Sequence, residues 1–232
     1  MVCDTMSNIA TRLATINVFS ELSPEALEGI AHLFTSNRFE RGATLISQQD
    51  TSSNVYFLLE GKVRATLYSP AGKEVSYQEL KPGDMFGEMA ALDNLPRSTH
   101  VISLVKGELL TLTSDDFNRL IMTHPVFARA VLMKMVGVVR FLADRIFEYS
   151  TMSVGGRVRA ELMRLAKQHQ ADARGFITID DMPTHEELAG RLATHREAIT
   201  RELGQLEKAG VIEKHRSRVT ILDMEALGEA IN

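Results

Sequence analysis

The chain has 232 residues, of which 44% are hydrophobic and 24% charged, and its formal net charge is −4. These values are typical of a globular protein with one large or two ordinary domains, and they exclude wholesale disorder. No apolar run is long enough for a membrane span, and no secretory signal is recognisable. A single cysteine, Cys3, cannot form an internal disulfide or by itself hold a zinc ion or an iron–sulfur cluster. We therefore predict a cytoplasmic protein.

Residues 40–112 have the composition of β structure. Short runs at 55–59, 62–68 and 109–113 are rich in β-branched and aromatic residues, and glycines occur between them at the expected turns. Several short strands at close spacing predict an antiparallel roll or barrel.

A long helix is predicted to start at Pro125, and its apolar residues form two stripes. Steps of three and four residues, as in a coiled coil, connect the seam Leu132, Met135, Val139, Leu142, Ile146 and Tyr149. The alternative is a stripe packed on the chain's own core. A second stripe, containing Phe127, Val131, Val138 and Phe141, is available for that packing. Two stripes need two surfaces to cover them, so we predict a parallel homodimer through the 126–150 helix.

Residues 151–232 predict a small α+β domain. Gly155-Gly156 interrupts the helical pattern and is interpreted as a hinge before a helix at 157–169. In the stretch 184–212, Thr184 with Glu187 and Thr194 with Glu197 predict two capping boxes, and therefore two helix starts ten residues apart. Two helices joined by so short a turn are typical of a helix-turn-helix.

The second of these helices has a polar face made of Arg196, Glu197, Thr200 and Arg201. Arginine can donate two hydrogen bonds to guanine, and glutamate can accept one from cytosine, which suits a recognition helix in the major groove. The alternative is a solvated face in which Glu197 caps the helix and pairs with Arg201. A β-hairpin with a basic tip is predicted at 211–222, and residues 191–218 carry seven Lys/Arg against four Glu, which favours the DNA-binding interpretation.

The stretch 82–101 contains a Gly-Glu pair followed, after a short connection, by Arg-Ser. Gly87 permits close approach of the backbone, and Glu88 can accept a hydrogen bond from a ribose 2′-hydroxyl. Arg97 presents a charged fork to phosphate oxygens, and Ser98 adds a hydroxyl donor. These residue types in this order predict a site for a ribose phosphate.

The sequence FGEMAALDNLPRS (86–98) resembles the phosphate-binding cassette of cyclic-nucleotide-binding domains. Together with the helix-turn-helix, it makes the chain resemble the catabolite activator (cyclic-AMP receptor protein) family of bacterial transcription regulators. The resemblance implies an α+β fold with three parts. These are an N-terminal antiparallel β-roll with flanking helices (1–124), a long dimerisation helix (125–152) and a C-terminal winged helix-turn-helix (153–232). The implied partners are double-stranded DNA, a second copy of the chain and RNA polymerase.

The resemblance also implies roles for individual residues. Ligand-binding positions are Leu80, Gly87, Glu88, Met89, Arg97, Ser98, Thr99, Leu142 and Ala143. DNA-binding positions are Thr184, His185, His195, Arg196, Glu197, Thr200, Arg201 and His215, and the implied half-site is related to TGTGA within a palindrome. The family's adenine-contacting Thr-Ser pair aligns with Leu142-Ala143, which lack hydroxyls, whereas Thr99 offers a hydroxyl to a guanine edge. The predicted ligand is therefore cyclic AMP, cyclic GMP or both.

Three alternatives follow from the same residues. One is a regulator of the same fold that senses haem or another small molecule. The second is a nucleotide-binding regulatory module of a kinase or channel, which the winged domain on the same chain disfavours. The third is an enzyme acting on cyclic nucleotides, which is disfavoured because the sequence has no clustered His/Asp set that would hold a metal. Neither a catalytic residue nor a metal ligand is predicted.

Overall fold

A computed structural model describes residues 9–68, 74–167 and 169–229 of the chain. The chain divides into two compact units, residues 1–139 and 140–232. The first unit is dominated by antiparallel strands and the second by helices with a small sheet, which confirms the predicted α+β class. The division falls inside the long helix, so that helix contributes residues to both units.

The strands are numbered in chain order. They are β1 (Thr35–Phe39), β2 (Thr44–Ile46), β3 (Val55–Glu60), β4 (Val63–Tyr68), β5 (Glu74–Leu80), β6 (Met85–Phe86), β7 (His100–Ser103), β8 (Gly107–Leu112), β9 (Ile177–Ile179), β10 (Ile212–His215) and β11 (Arg218–Ile221). The α-helices are α1 (Pro24–Ile30), α2 (Glu88–Asp93), α3 (Ser114–Thr123), α4 (Pro125–Thr151), α5 (Val154–Ala166), α6 (His185–Arg191), α7 (Arg196–Lys208) and α8 (Met224–Glu229).

Two four-stranded sheets build the first unit. Their strand orders are β1-β8-β3-β6 and β2-β7-β4-β5, and all of these pairings are antiparallel. Strands β3 and β8 direct Val55, Phe57, Leu110 and Leu112 into the core. Strand β1 begins ahead of residue 40, which is the start of the predicted β region. The sequence pattern does not indicate this strand, because its exposed residues are polar and show no apolar alternation.

The first turns of α4 pack against the first unit through aromatic side chains. Phe127 is fully buried, and its ring stacks on Phe19 with centroids 4.9 Å apart and meets Phe117 edge-on at 5.7 Å. Val131, one turn later, is buried in the same cluster. Offset-stacked and edge-to-face rings are favourable beyond their buried area. The inward-facing stripe predicted for this helix is therefore confirmed at these two positions.

In the second unit, a three-stranded sheet of order β10-β11-β9 packs with α5, α6 and α7 around one apolar core. The helix break predicted at Gly155-Gly156 lies instead at Met152-Ser153, and both glycines lie in the first turn of α5. Ser153 caps that helix by accepting a hydrogen bond from the Gly156 N–H. A Cβ atom at Gly155 would lie 2.8 Å from Glu202 Oε2, so the Glu202 carboxylate approaches this glycine closely.

The helix-turn-helix is formed by α6 and α7. The capping box of Thr184 and Glu187 is present, with the Thr184 hydroxyl accepting from the Glu187 N–H and the Glu187 carboxylate accepting from the Thr184 N–H. The second predicted capping box is wrong: α7 begins one residue later, and its N-cap is His195, whose side chain makes no capping hydrogen bond. Residues 192–195 make the turn, with Ala193 in a left-handed conformation at φ 49°.

Candidate functional site

A pocket lies in the first unit among strands, helix α2 and helix α4. Every ligand residue predicted from the β region lines this pocket, namely Leu80, Gly87, Glu88, Met89, Arg97, Ser98 and Thr99. Apolar side chains such as Ile46 and Val101 line it as well. A mainly apolar cleft with a few converging polar groups is the usual form of a small-molecule site.

Gly87 controls how closely the pocket's arginine approaches the backbone. It adopts a left-handed conformation, with φ of 83°, immediately before α2. A Cβ atom at this position would lie 2.8 Å from Arg97 Nη1 and 3.0 Å from the carbonyl oxygen of Asn54. Because glycine alone adopts this φ readily and leaves this space open, the pocket requires it.

Arg97 is almost completely buried, with 2% of its surface exposed. Its Nη1 donates to the Gly87 carbonyl oxygen and its Nη2 to that of Asn54, both at 2.8 Å, while Nε donates to Ser52 Oγ at 3.2 Å. Burial lowers the pKa of Arg97, yet a guanidinium stays charged at physiological pH. These three bonds fix the orientation of a planar cation that has five N–H groups in all.

Glu88 is the acidic group of the pocket, with 7% of its surface exposed. Its Oε1 accepts a hydrogen bond from Lys134 Nζ at 2.7 Å, and Lys134 comes from helix α4. The Ser98 hydroxyl contacts Met89 Sδ at 3.7 Å. Thr99 is partly exposed beside them. The carboxylate, guanidinium and hydroxyl groups predicted for the site therefore surround one pocket, together with a lysine outside the predicted set.

Helix α4 contributes three lining residues that the sequence does not assign to the ligand, namely Lys134, Met135 and Val138. Val138 belongs to the stripe predicted to pack on the β region, whereas Met135 belongs to the predicted dimer seam. Lys134 follows Val131 by three residues and precedes Val138 by four, so it lies on the same buried stripe. A charged residue within an apolar stripe is the sequence signal that would have identified it.

Leu142 and Ala143 belong to the second unit, and both are exposed on α4. The residues that line the pocket all belong to the first unit. The assignment of Leu142 and Ala143 to the ligand therefore remains a prediction.

The seam predicted on α4 is largely exposed in the single chain. Leu132, Val139 and Ile146 expose 65%, 66% and 67% of their surfaces, and Leu142 and Tyr149 are also exposed. Large apolar side chains repeated at this spacing on one helix are typical of a surface that a partner covers.

In the second unit, α7 has one buried and one exposed face. Ala198, Ile199, Leu203 and Leu206 are buried. The opposite face exposes all five predicted DNA-binding residues of this segment, namely His195, Arg196, Glu197, Thr200 and Arg201. The structure therefore presents them together on one surface, at the N-terminal end of the helix.

Several of these polar side chains have intramolecular partners. Arg201 pairs with its neighbour Glu202, with Nη2–Oε1 at 3.2 Å, rather than with Glu197. Thr200 Oγ1 donates to the Arg196 carbonyl oxygen and lies 2.8 Å from His185 Nδ1. Burial, with the nearby positive charges of Lys214 and Arg196, lowers the pKa of His185, so its imidazole is neutral at physiological pH.

The hairpin β10–β11 forms the predicted wing. Its turn lies at Arg216-Ser217, and the Ser217 carbonyl oxygen accepts from the Met182 N–H at 2.9 Å. Arg216 and His215 are exposed near the tip, and His215 Nε2 lies 3.3 Å from Glu213 Oε1. Thr184 is also exposed at the start of α6. The wing therefore presents basic groups to solvent near the end of the sheet.

A buried charge network, which no sequence pattern predicts, joins the end of α4 to α5 and α6. Arg145 donates to Glu148 at 3.0 Å and to Glu161 at 2.8 Å, and Arg164 pairs with both carboxylates. Arg191, at the end of α6, lies 3.5 Å from Glu161. Burial opposes the charge of Glu161, but the arginines hold its pKa below the usual value. Buried carboxylates are tolerated only with such partners.

A further hydrogen bond connects α4 to α6. The Tyr149 hydroxyl of α4 donates to the Arg191 carbonyl oxygen of α6 at 2.7 Å. The last turns of α4 are therefore attached directly to the first helix of the helix-turn-helix.

Two other kinds of feature are absent from residues 9–68, 74–167 and 169–229. None of the helices in these ranges is long and apolar enough to cross a membrane. No group of three or more His, Cys, Asp or Glu residues there is arranged to hold a metal ion.

Models of two protein domains match the two halves of the chain. A model of the cyclic nucleotide-binding domain matches residues 36–124, and a model of the Crp-like helix-turn-helix domain matches residues 156–230. The chain therefore belongs to the cyclic-AMP receptor protein (CRP/FNR) family of transcription regulators.

Individual relatives extend over nearly the full length. The cyclic AMP receptor protein of Thermus thermophilus is 28% identical over 215 residues, which cover 91% of this chain and 95% of the relative. The structure of a CooA mutant from Carboxydothermus hydrogenoformans shares the fold at TM-score 0.80 and 19% identity, covering 94% and 95% of the two chains. The c-di-GMP-responsive regulator CLP of Xanthomonas campestris shares it at TM-score 0.75 and 16% identity, covering 87% and 100%.

Proposed function

We propose that the chain is a cytoplasmic, cyclic-nucleotide-responsive regulator that binds a palindromic TGTGA-like DNA site as a homodimer. The observation that carries this proposal is the pocket, where Glu88, Arg97 and Ser98 surround one cleft. Among the described residues that line it, the charged groups are Glu88, Arg97 and Lys134, which sum to a single positive charge. A cyclic nucleotide is a phosphodiester with a single negative charge, so it neutralises this set.

Each part of such a ligand has a partner. The cyclic phosphate meets the remaining guanidinium N–H groups of Arg97 and the Ser98 hydroxyl. The ribose 2′-hydroxyl donates to Glu88. The carboxylate can accept this second hydrogen bond because Lys134 engages only Oε1. Thr99 is the hydroxyl available to the base. Since Leu142 and Ala143 offer no hydroxyl to adenine, we propose cyclic GMP as a ligand as well as cyclic AMP.

The DNA-binding half acts through paired recognition helices. In a dimer formed along the α4 seam, each α7 reads one half-site, and the two half-sites lie about one turn of DNA (roughly 34 Å) apart. The ligand shifts the population toward the DNA-binding arrangement only by its differential affinity for the two arrangements. The proposed coupling is supported by two contacts of α4, the Lys134–Glu88 ion pair and the Tyr149–Arg191 hydrogen bond. A regulator of this kind has RNA polymerase as a further partner and is not an enzyme.

The experiment that tests this function is DNA binding at fixed salt to a palindromic TGTGA-type site. Three samples are compared: no nucleotide, cyclic AMP and cyclic GMP. We expect binding to strengthen with at least one nucleotide, and the better nucleotide identifies the base preference. Equal binding in all three samples contradicts the proposed effector, and no binding in any of them contradicts the proposed DNA site.

Arg196→Ala tests the recognition helix. Arg196 is exposed, so its truncation leaves the core of the second unit intact. A bidentate contact to guanine contributes roughly 1–3 kcal/mol of base discrimination, so we expect at least a fivefold loss of affinity for the specific site. Competition by unrelated DNA should change far less.

The matched control is Lys208→Ala, at the far end of the same helix, which we expect to bind normally. If Arg196→Ala weakens specific and unrelated DNA equally, Arg196 contacts phosphate rather than a base.

A regulator of the same fold with another effector is the second candidate. It is favoured by the three hydrogen bonds that already engage Arg97, and the structurally similar CLP regulator responds to c-di-GMP. The single positive charge of this pocket suits a monoanion better than a ligand with two phosphates. An absorption spectrum of the purified protein tests haem, and a titration with c-di-GMP tests the dinucleotide.

A further inference from the structure

We infer that Lys134 is a positioning residue that holds Glu88 for the 2′-hydroxyl of the ligand and ties that contact to helix α4. This inference rests on the proposed function and assigns a residue outside the predicted ligand set. The Lys134 ammonium lies 2.7 Å from Glu88 Oε1, and the two residues are 46 positions apart in the chain.

Burial makes this ion pair different from a surface salt bridge. Only 9% of the Glu88 side chain and 21% of the Lys134 side chain are exposed. A buried carboxylate without a counter-charge is strongly disfavoured, so the Lys134 ammonium compensates the charge of Glu88 and orients its carboxylate. An ionised carboxylate accepts a stronger hydrogen bond from a hydroxyl than a neutral carboxyl does.

The geometry allows both partners to be held at once. A carboxylate has two oxygens and about four acceptor positions, and Lys134 uses one position on Oε1. The 2′-hydroxyl therefore binds to Glu88 while Lys134 stays in place. Because Lys134 lies on α4, between the buried Val131 and the pocket-lining Val138, occupancy of the ribose position is communicated to that helix.

The test compares 2′-hydroxyl and 2′-deoxy ligands in the full-length protein. Affinities of cyclic AMP and its 2′-deoxy form, and of the corresponding guanine pair, are measured for the natural protein, Lys134→Met and Lys134→Arg. We expect the natural protein to prefer the hydroxyl form at least tenfold and Lys134→Met to prefer it less than threefold. Lys134→Arg should restore most of the preference, because it restores the cation.

A purely structural role would weaken both forms equally and leave their ratio unchanged, which would overturn the inference. Tighter binding of the hydroxyl form by Lys134→Met would also overturn it, because Lys134 would then compete with the ligand for Glu88. If the natural protein binds none of the four nucleotides, the proposed function itself fails. Far-ultraviolet circular dichroism and thermal unfolding verify that each variant is folded.

Discussion

Arg97→Gln is expected to lower nucleotide affinity by about 100-fold and to abolish nucleotide-dependent DNA binding. The substitution removes the positive fork beside Ser98, and a hydrogen bond to a charged group contributes roughly 1.5–3 kcal/mol. Two such bonds to a phosphodiester account for the expected factor. Calorimetric titration with cyclic AMP and cyclic GMP measures it directly.

The same substitution also affects stability, because Arg97 is an internal structural group. Its loss deprives the Gly87 and Asn54 carbonyl oxygens of their donors. Each buried polar group left without a partner costs roughly 1–3 kcal/mol, so the melting temperature should fall. Ser98→Ala separates the two effects, since Ser98 is exposed and its loss should weaken binding without lowering the melting temperature.

Arg41→Gln is the control for charge, because Arg41 is exposed and does not line the pocket. It should bind nucleotide normally. If Arg97→Gln retains the affinity of the natural protein, the phosphate assignment is wrong.

Val139→Glu is expected to make the proposed homodimer monomeric and to remove specific DNA binding. Val139 lies at the middle of the seam and exposes 66% of its surface in the single chain. In a parallel dimer the two glutamates would face each other in an apolar interface, where unpaired charges are strongly unfavourable. Sedimentation equilibrium measures the mass, and the same samples are used for DNA binding.

Glutamate is a good helix former, so the helix itself should persist. The control is Met122→Glu, which places the same charge at a side chain that is 83% exposed but lies on α3, outside the seam. That variant should remain dimeric. A dimeric Val139→Glu protein would show that another surface joins the two copies.

Local patterns predict much of the architecture. Pro125 marks the start of the long helix, and the runs at 55–59 and 62–68 correspond to β3 and β4. The order of Gly87 and Arg97 in the sequence predicts that they belong to one site, and both line the same pocket, whereas their role toward a phosphate stays a prediction. Each of these signals is contained within a few neighbouring residues.

The features that sequence patterns miss depend on tertiary contacts. Lys134 meets Glu88 only after the long helix packs on the first unit. Arg145 and Glu148 are three residues apart on a helix, which is the usual spacing of a solvated surface pair, and they are buried only because α5 brings Glu161 to them. Strand β1 is mostly polar and exposed. It is a strand because it pairs with β8 at the edge of the sheet, and its sequence has no apolar pattern that would indicate this.

Gly155-Gly156 shows how a correct local rule gives a wrong result. Glycine disfavours the interior of a helix, so the pair predicts a break. At the first turn of a helix that cost is small, and Ser153 supplies the cap. The Glu202 carboxylate approaches Gly155 closely across the helix interface, and no pattern within residues 153–158 reveals that contact.

The buried charge network changes where the DNA-binding half can be separated from the rest of the chain. A fragment starting at residue 153, the predicted domain boundary, would lose Arg145 and Glu148 and leave Glu161 with an incomplete set of cations. A fragment starting at Arg140 keeps every member of the network. We therefore expect a DNA-binding module that folds on its own to include the last turns of the long helix. Any exchange of sensor domains between relatives would have to cut within the helix, ahead of Arg145.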